Sequence, residues 1–180
     1  MIYRTVKVWD PLLRLFHWCL VVSFAIAWMT AEDRAGLHEW AGYAAAALII
    51  FRLVWGLVGP RYARFAQFIT SPATVFDFVK AMIRRDEARY VGHNPAGSVM
   101  ILGLIMVLGI TVVTGWMYTL DAFWGEEWVE ETHELFANLM LGMVVIHVAG
   151  VLYASYAHQE NLVKSMVTGS KRISAEEDIK

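Results

Sequence analysis

Cysteine is nearly absent from this 180-residue sequence: Cys19 stands alone, so no disulfide framework can form within the chain. Charge is also scarce, with 18% charged residues against 58% hydrophobic ones, a balance too apolar for an ordinary soluble domain. The net charge of -2 gives no basic excess and nothing that points to nucleic acid. Internal repeats, low-complexity tracts and a composition shift marking a linker are all missing, which predicts one domain over residues 1–180. No small-residue cleavage site follows the first apolar stretch, so that stretch is expected to stay as a helix rather than leave as a signal peptide.

What the chain does have is long apolar runs, and they predict an all-α integral membrane four-helix bundle. Ala96 to Leu120 carries no charge, Leu135 to Ala157 carries no Asp, Glu, Lys or Arg and one histidine, His147, and Trp40 to Pro60 carries only Arg52. A fourth run follows Asp10 and Pro11, a helix cap and first-turn proline. Each run approaches or exceeds the roughly 20 residues that cross a hydrocarbon core. The expected spans are about 12–30, 37–58, 96–118 and 132–157. Between the second and third lies ATVFDFVKAMIRR, in which Val75, Phe76, Val79, Met82 and Ile83 recur at helical spacing with basic residues opposite. This predicts a short helix along the membrane interface. The tail AEEDIK reads as disordered.

The basic residues are sorted between the connections. The N-terminus holds Arg4, Lys7 and Arg14, the connection after the second run holds Arg61, Arg64, Lys80, Arg84, Arg85 and Arg89, and the tail holds Lys164, Lys171, Arg172 and Lys180. The remaining two connections hold Arg34 and nine acidic residues, Glu32, Asp33, Glu39, Asp121, Glu126, Glu127, Glu130, Glu131 and Glu134. Because Lys and Arg accumulate on cytoplasmic flanks, both termini are expected in the cytoplasm of a bacterial inner (plasma) membrane protein that crosses several times. Trp9, Trp40, Trp55, Trp116, Trp124 and Trp128 fall near the ends of the runs, as interfacial aromatic belts do.

Four of the six histidines occur at matching depths. His133 and His147 are 14 residues apart on one helix, roughly 21 Å along its axis and within ~40° of one face. His17 lies near the cytoplasmic start of the first helix, at the depth of His147, and His38 lies at the periplasmic start of the second, at the depth of His133. The two pairs, stacked across the membrane, match the axial ligands of two bis-histidine haems. A zinc site would need ligands at short sequence spacing, and these come from different helices. The absence of CxxCH leaves any such haem without thioether links to the chain. Gly42, Gly103, Gly109, Gly115 and Gly150 either make room for the macrocycles or serve close helix packing. Arg52, 14 residues after His38, and Arg14, three before His17, are candidates for binding haem propionates; snorkelling to headgroups is the alternative. His93 and His158 have no depth-matched partner, and neither is expected to bind iron.

The segments WDPLLRLFHW and HELFANLMLGMVVIHVAGVLYASYAHQENLVKSMVTG resemble the bacterial cytochrome b561 and nickel-iron hydrogenase b-type cytochrome family, and the resemblance extends over nearly the whole chain. It implies that His17, His38, His133 and His147 hold two b haems that exchange electrons with the quinone pool. With two imidazoles on each iron no coordination site is open, so electron transfer is expected rather than oxygen chemistry. The expected function is transmembrane electron transfer between quinone and a periplasmic redox partner, a c-type cytochrome or a hydrogenase. Two alternatives are a stand-alone superoxide:quinone oxidoreductase and a non-haem membrane transporter or scaffold. Membrane lipid is a further partner, and a homodimer is compatible with all three.

Overall fold

A computed structural model describes residues 3–32, 34–174 and 178–179. In chain order the elements are strand β1 (Tyr3–Lys7), helices α1 (Pro11–Met29), α2 (Ala35–Val58), α3 (Phe65–Phe68) and α4 (Pro72–Arg84), strand β2 (Arg89–Tyr90), helices α5 (Pro95–Tyr118), α6 (Glu127–Ala157) and α7 (Leu162–Thr168), and strands β3 (Ser170–Ser174) and β4 (Asp178–Ile179). Four helices, α1, α2, α5 and α6, have the length and mean hydropathy to cross a membrane. The shortest has 19 residues, about 28 Å at 1.5 Å per residue, against a hydrocarbon core of roughly 30 Å. Leu15, Ile50, Val113 and Val145 on these helices are all more than half exposed. An apolar solvent satisfies such surfaces where water does not.

Local chemistry sets the helix starts. Asp10 Oδ1 accepts the Leu13 N–H at 3.0 Å, and Pro11 takes the first helical position. Asn94 Oδ1 accepts the Gly97 N–H at 2.7 Å in front of α5. Helix α6 begins at Glu127, five residues before the boundary drawn from hydropathy. Glu127 and Glu130 in its first turns favour the positive end of the helix dipole, so much of the acidic connection is helix.

The chain forms two compact units. One contains residues 15–54 and 103–144. Here Ile49 of α2, Val107 and Leu108 of α5 and Met140 of α6 form a buried cluster, with Leu20 and Phe24 of α1 and Phe136 of α6 against it. Every membrane-length helix contributes to that cluster, as a four-helix bundle requires.

The other unit contains residues 1–14, 55–102 and 145–180. Strand β1 pairs antiparallel with β3, from Tyr3 opposite Ser174 to Lys7 opposite Ser170. Hydropathy did not reveal this ladder, because its strands are short, polar and at opposite ends of the sequence. Gly169 ends α7 at φ 81°, and its carbonyl accepts both the Val8 and Trp9 N–H groups. A Cβ at position 169 would lie 2.7 Å from Trp9 O, so glycine is required there by contact as well as by φ. Trp9 Nε1 donates to Ser165 Oγ at 3.3 Å, and the Arg14 guanidinium donates to Val167 O. Glu160, 8% exposed, accepts from Arg89 at 3.0 Å and lies 3.5 Å from Lys171 Nζ.

Helix α4 is present as expected, opened by Ser71, whose hydroxyl accepts the Thr74 N–H at 3.2 Å. Its apolar face divides differently from the sequence expectation. Phe78 is buried, while Phe76 and Ile83 point outward at 68% and 77% exposure. Of the tail read as disordered, residues 175–177 and 180 lie outside the described residues, and Asp178 and Ile179 pair with Arg89 and Tyr90.

Candidate functional site

His38 and His133 are brought together in the bundle unit, one from the first turn of α2 and one from the second turn of α6. Their ring centroids are 6.0 Å apart and the ring planes lie at 77°. Both rings are anchored by backbone. His38 Nδ1 lies 2.9 Å from Ala27 O, and His133 Nδ1 lies 2.9 Å from Thr111 O. A carbonyl oxygen only accepts, so each Nδ1 must carry the proton and each Nε2 is left with its lone pair. The pair thus presents two σ-donor nitrogens held by hydrogen bonds on the opposite side of each ring. That is how proteins orient metal-binding imidazoles.

Among the described residues, no group of three or more His, Cys, Asp or Glu side chains could hold a bare metal ion. Two facing imidazoles instead suit an iron whose four equatorial ligands come from a macrocycle. Ring centroids 6.0 Å apart would leave room for one iron between the two imidazoles. Gly42, one turn after His38, has no atom within 4 Å of the position its Cβ would take. The residues present fit a bis-histidine haem.

His17 and His147 belong to different units. His17 is half-buried on α1, its ring edge-on to Trp18 at 5.1 Å. His147 is half-buried on α6. Arg52 of α2 is 2% exposed, an uncommon state for a guanidinium in an apolar helix. Arg14 directs its guanidinium to the carbonyl of Val167, the end of α7 where a cation complements the helix dipole.

The remaining histidines lie in the other unit. His93 stacks between Trp9 at 4.6 Å and Phe68 at 4.8 Å. Burial lowers the His158 pKa from its ordinary value; Arg89 and Lys171 push the same way, while Glu87 and Glu160 oppose them.

Thr111, Thr114 and the Ala27 carbonyl had not been singled out in the sequence. Two threonines in the uncharged helix α5 were the only available signal, and a backbone carbonyl leaves none. Thr114 Oγ1 sits 3.3 Å from His133 Nδ1. Gly115 adjoins the His133 ring, since a Cβ there would lie 2.8 Å from His133 Cε1.

Four apolar helices and a facing imidazole pair define a membrane protein of the redox-cytochrome class. The chain belongs to the prokaryotic cytochrome b561 family, whose model matches residues 8–169. It is similar to a "Probable Ni/Fe-hydrogenase B-type cytochrome subunit" of Bradyrhizobium diazoefficiens, 22% identical over 215 residues covering 93% of this chain and 86% of that protein. A protein of the same description from Rhizobium leguminosarum bv. viciae is 24% identical over 222 residues, covering 97% and 92%. No solved structure matches the chain at comparable significance. Family membership makes this a membrane protein of b-haem electron transfer, with haem b as its cofactor.

Proposed function

We propose that the chain carries electrons across a bacterial inner membrane, between the quinone pool and a periplasmic redox protein, using two bis-histidine b haems. The observation that carries this reading is the facing pair His38 and His133, each with Nδ1 on a backbone carbonyl and Nε2 free to bind iron. On sequence spacing, the second haem would be held by His17 of α1 and by His147, which lies 14 residues after His133 on α6. Bound haem supplies a one-electron iron couple at each level. His38, His133, His17 and His147 would hold the two haems, and the apolar helices would keep water from them.

The buried Arg52 guanidinium balances propionate charge at the level of His17. The β1–β3 ladder supports placing both termini on one side, and the sorting of basic residues makes that side cytoplasmic. The outward pair Phe76 and Ile83 on α4, seven residues apart and so on one face, lies in the cytoplasmic interface with Lys80 and Arg84 toward the headgroups.

The partner is periplasmic and carries basic surface charge near its redox centre. Glu126, Glu127, Glu130, Glu131 and Glu134 surround the start of α6, beside His133, where they attract such a protein over distance. The printed descriptions of the relatives, hydrogenase b-type cytochrome subunits, support a partner of the hydrogenase kind. The superoxide reading is disfavoured by the same carboxylates, which repel an anionic substrate.

The first test is a haem count on the purified protein by pyridine haemochrome. Two b haems per chain with low-spin spectra are expected, and a count of zero or one overturns the two-haem reading. The second concerns the partner. Glu126→Gln, Glu127→Gln and Glu130→Gln together should slow reduction of a basic c-type cytochrome about tenfold or more at low salt, and the difference should vanish at high salt. An equal rate at low salt removes the electrostatic argument.

A further inference from the structure

We infer that Gly115 and Thr114 of α5, a helix that supplies no iron ligand, position the His133 imidazole and thereby set the affinity and potential of the periplasmic haem site. The inference rests on the reading of His133 as a ligand and adds which residues hold it.

The steric part is Gly115. A methyl group at this position would lie 2.8 Å from His133 Cε1 and 3.1 Å from its Nδ1, closer than non-bonded carbon normally comes. The ring is not free to swing away, because Nδ1 is held 2.9 Å from Thr111 O. Cε1 lies between the two ring nitrogens, so displacing it also displaces Nε2, the atom that would bind iron. Glycine here lets an imidazole lie against the helix backbone, a close approach only the smallest residue allows.

The polar part is Thr114, 6% exposed. Its hydroxyl lies 2.9 Å from Ile110 O, 3.0 Å from Thr111 O and 3.3 Å from His133 Nδ1. It has one proton, and donating it to Ile110 O leaves the oxygen as an acceptor toward His133. The Nδ1–H is then shared between Thr111 O and Thr114 Oγ1, while Thr111 O also accepts the α-helical bond from the Gly115 N–H. A carbonyl with that many donors binds each less strongly, which makes the hydroxyl a real contributor. Hydrogen bonding at Nδ1–H raises the basicity of the imidazole. A more basic ligand favours ferric iron and lowers the reduction potential.

Three variants in the full chain test this: Gly115→Ala, Thr114→Val and Thr114→Ser, with His133→Ala as reference. Haem titration into the apoprotein should show one of two sites weakened about 10–100-fold by Gly115→Ala, the usual cost of losing support behind a metal ligand. The near-perpendicular rings, at 77°, predict a highly anisotropic low-spin ferric EPR signal for that haem; Gly115→Ala should shift this signal and leave the other haem's signal in place. Thr114→Val should raise the potential of the same haem, and Thr114→Ser should restore it. If Gly115→Ala and Thr114→Val leave affinity, EPR signal and potential unchanged while His133→Ala removes one haem, the inference fails and the ligand assignment stands. If His133→Ala removes none, both fail. Loss of both haems in Gly115→Ala would make the residue a general packing position and overturn the inference.

Discussion

Replacing His133 by alanine is expected to yield a protein with one haem instead of two and no measurable electron transfer between its two faces. The His38 and His133 ring centroids lie 6.0 Å apart; with iron held between them, as proposed, loss of one imidazole would leave a single axial ligand and a haem that dissociates readily. The loss should exceed the about 10–100-fold that removing a supporting partner costs, because the ligand itself is gone. His38→Ala should give the same spectrum as His133→Ala. His147→Ala and His17→Ala should both remove the other haem. These four phenotypes must fall into two pairs; any other grouping, such as His38 with His147, contradicts the assignment. Visible spectra of the reduced variants, with a haem count, decide it.

A comparably large effect, on stability, is expected from Glu160→Ala. The Glu160 carboxylate accepts from Arg89 at 3.0 Å and from the Arg172 backbone N–H at 3.1 Å, with Lys171 Nζ at 3.5 Å. It is 8% exposed and Lys171 is 5% exposed, so bulk water does little to screen them. Truncating the carboxylate leaves two cations close together beneath the β1–β3 ladder. Removing one partner of a buried ion pair costs about 3–5 kcal/mol, far above the value of a surface pair. Thermal unfolding of the detergent-solubilised protein should begin at a lower temperature, and limited proteolysis should cut first near β3. Glu160→Gln should lie between, since its amide oxygen still accepts. An unchanged proteolytic pattern in Glu160→Ala would mean that the ladder alone fastens the C-terminal strand.

The family was legible in the sequence because its strongest signals are local. A run such as Ala96 to Leu120 announces a membrane helix without reference to any other residue, and Asp10-Pro11 announces its neighbour's start. The meeting of His38 and His133 was also accessible, since both stand where an apolar run joins an acidic connection. It is for His38 and His133 that the structure describes the rings meeting within one unit. Less legible was the division of the α4 face, where Phe78 is buried and Phe76 points outward. Helical periodicity gives a stripe of apolar residues, but the neighbours decide which edge of the stripe meets protein. Gly115 appeared in the sequence as one of several small residues with two equally good explanations. Its role depends on an imidazole arriving from α6, 18 residues further on.

Composition and hydropathy thus determined by themselves that this is a four-helix membrane chain, because those properties follow from single elements and the solvent around them. Only the tertiary structure decided how the rings are held. The carbonyls of Ala27 and Thr111 select the His38 and His133 tautomers, Gly115 admits the His133 ring, Val167 receives Arg14, and Glu160 joins Arg89 to Lys171. Backbone carbonyls carry no side-chain signature, and contacts between residues tens to hundreds of positions apart have no period to read. They exist only once the helices have been brought side by side.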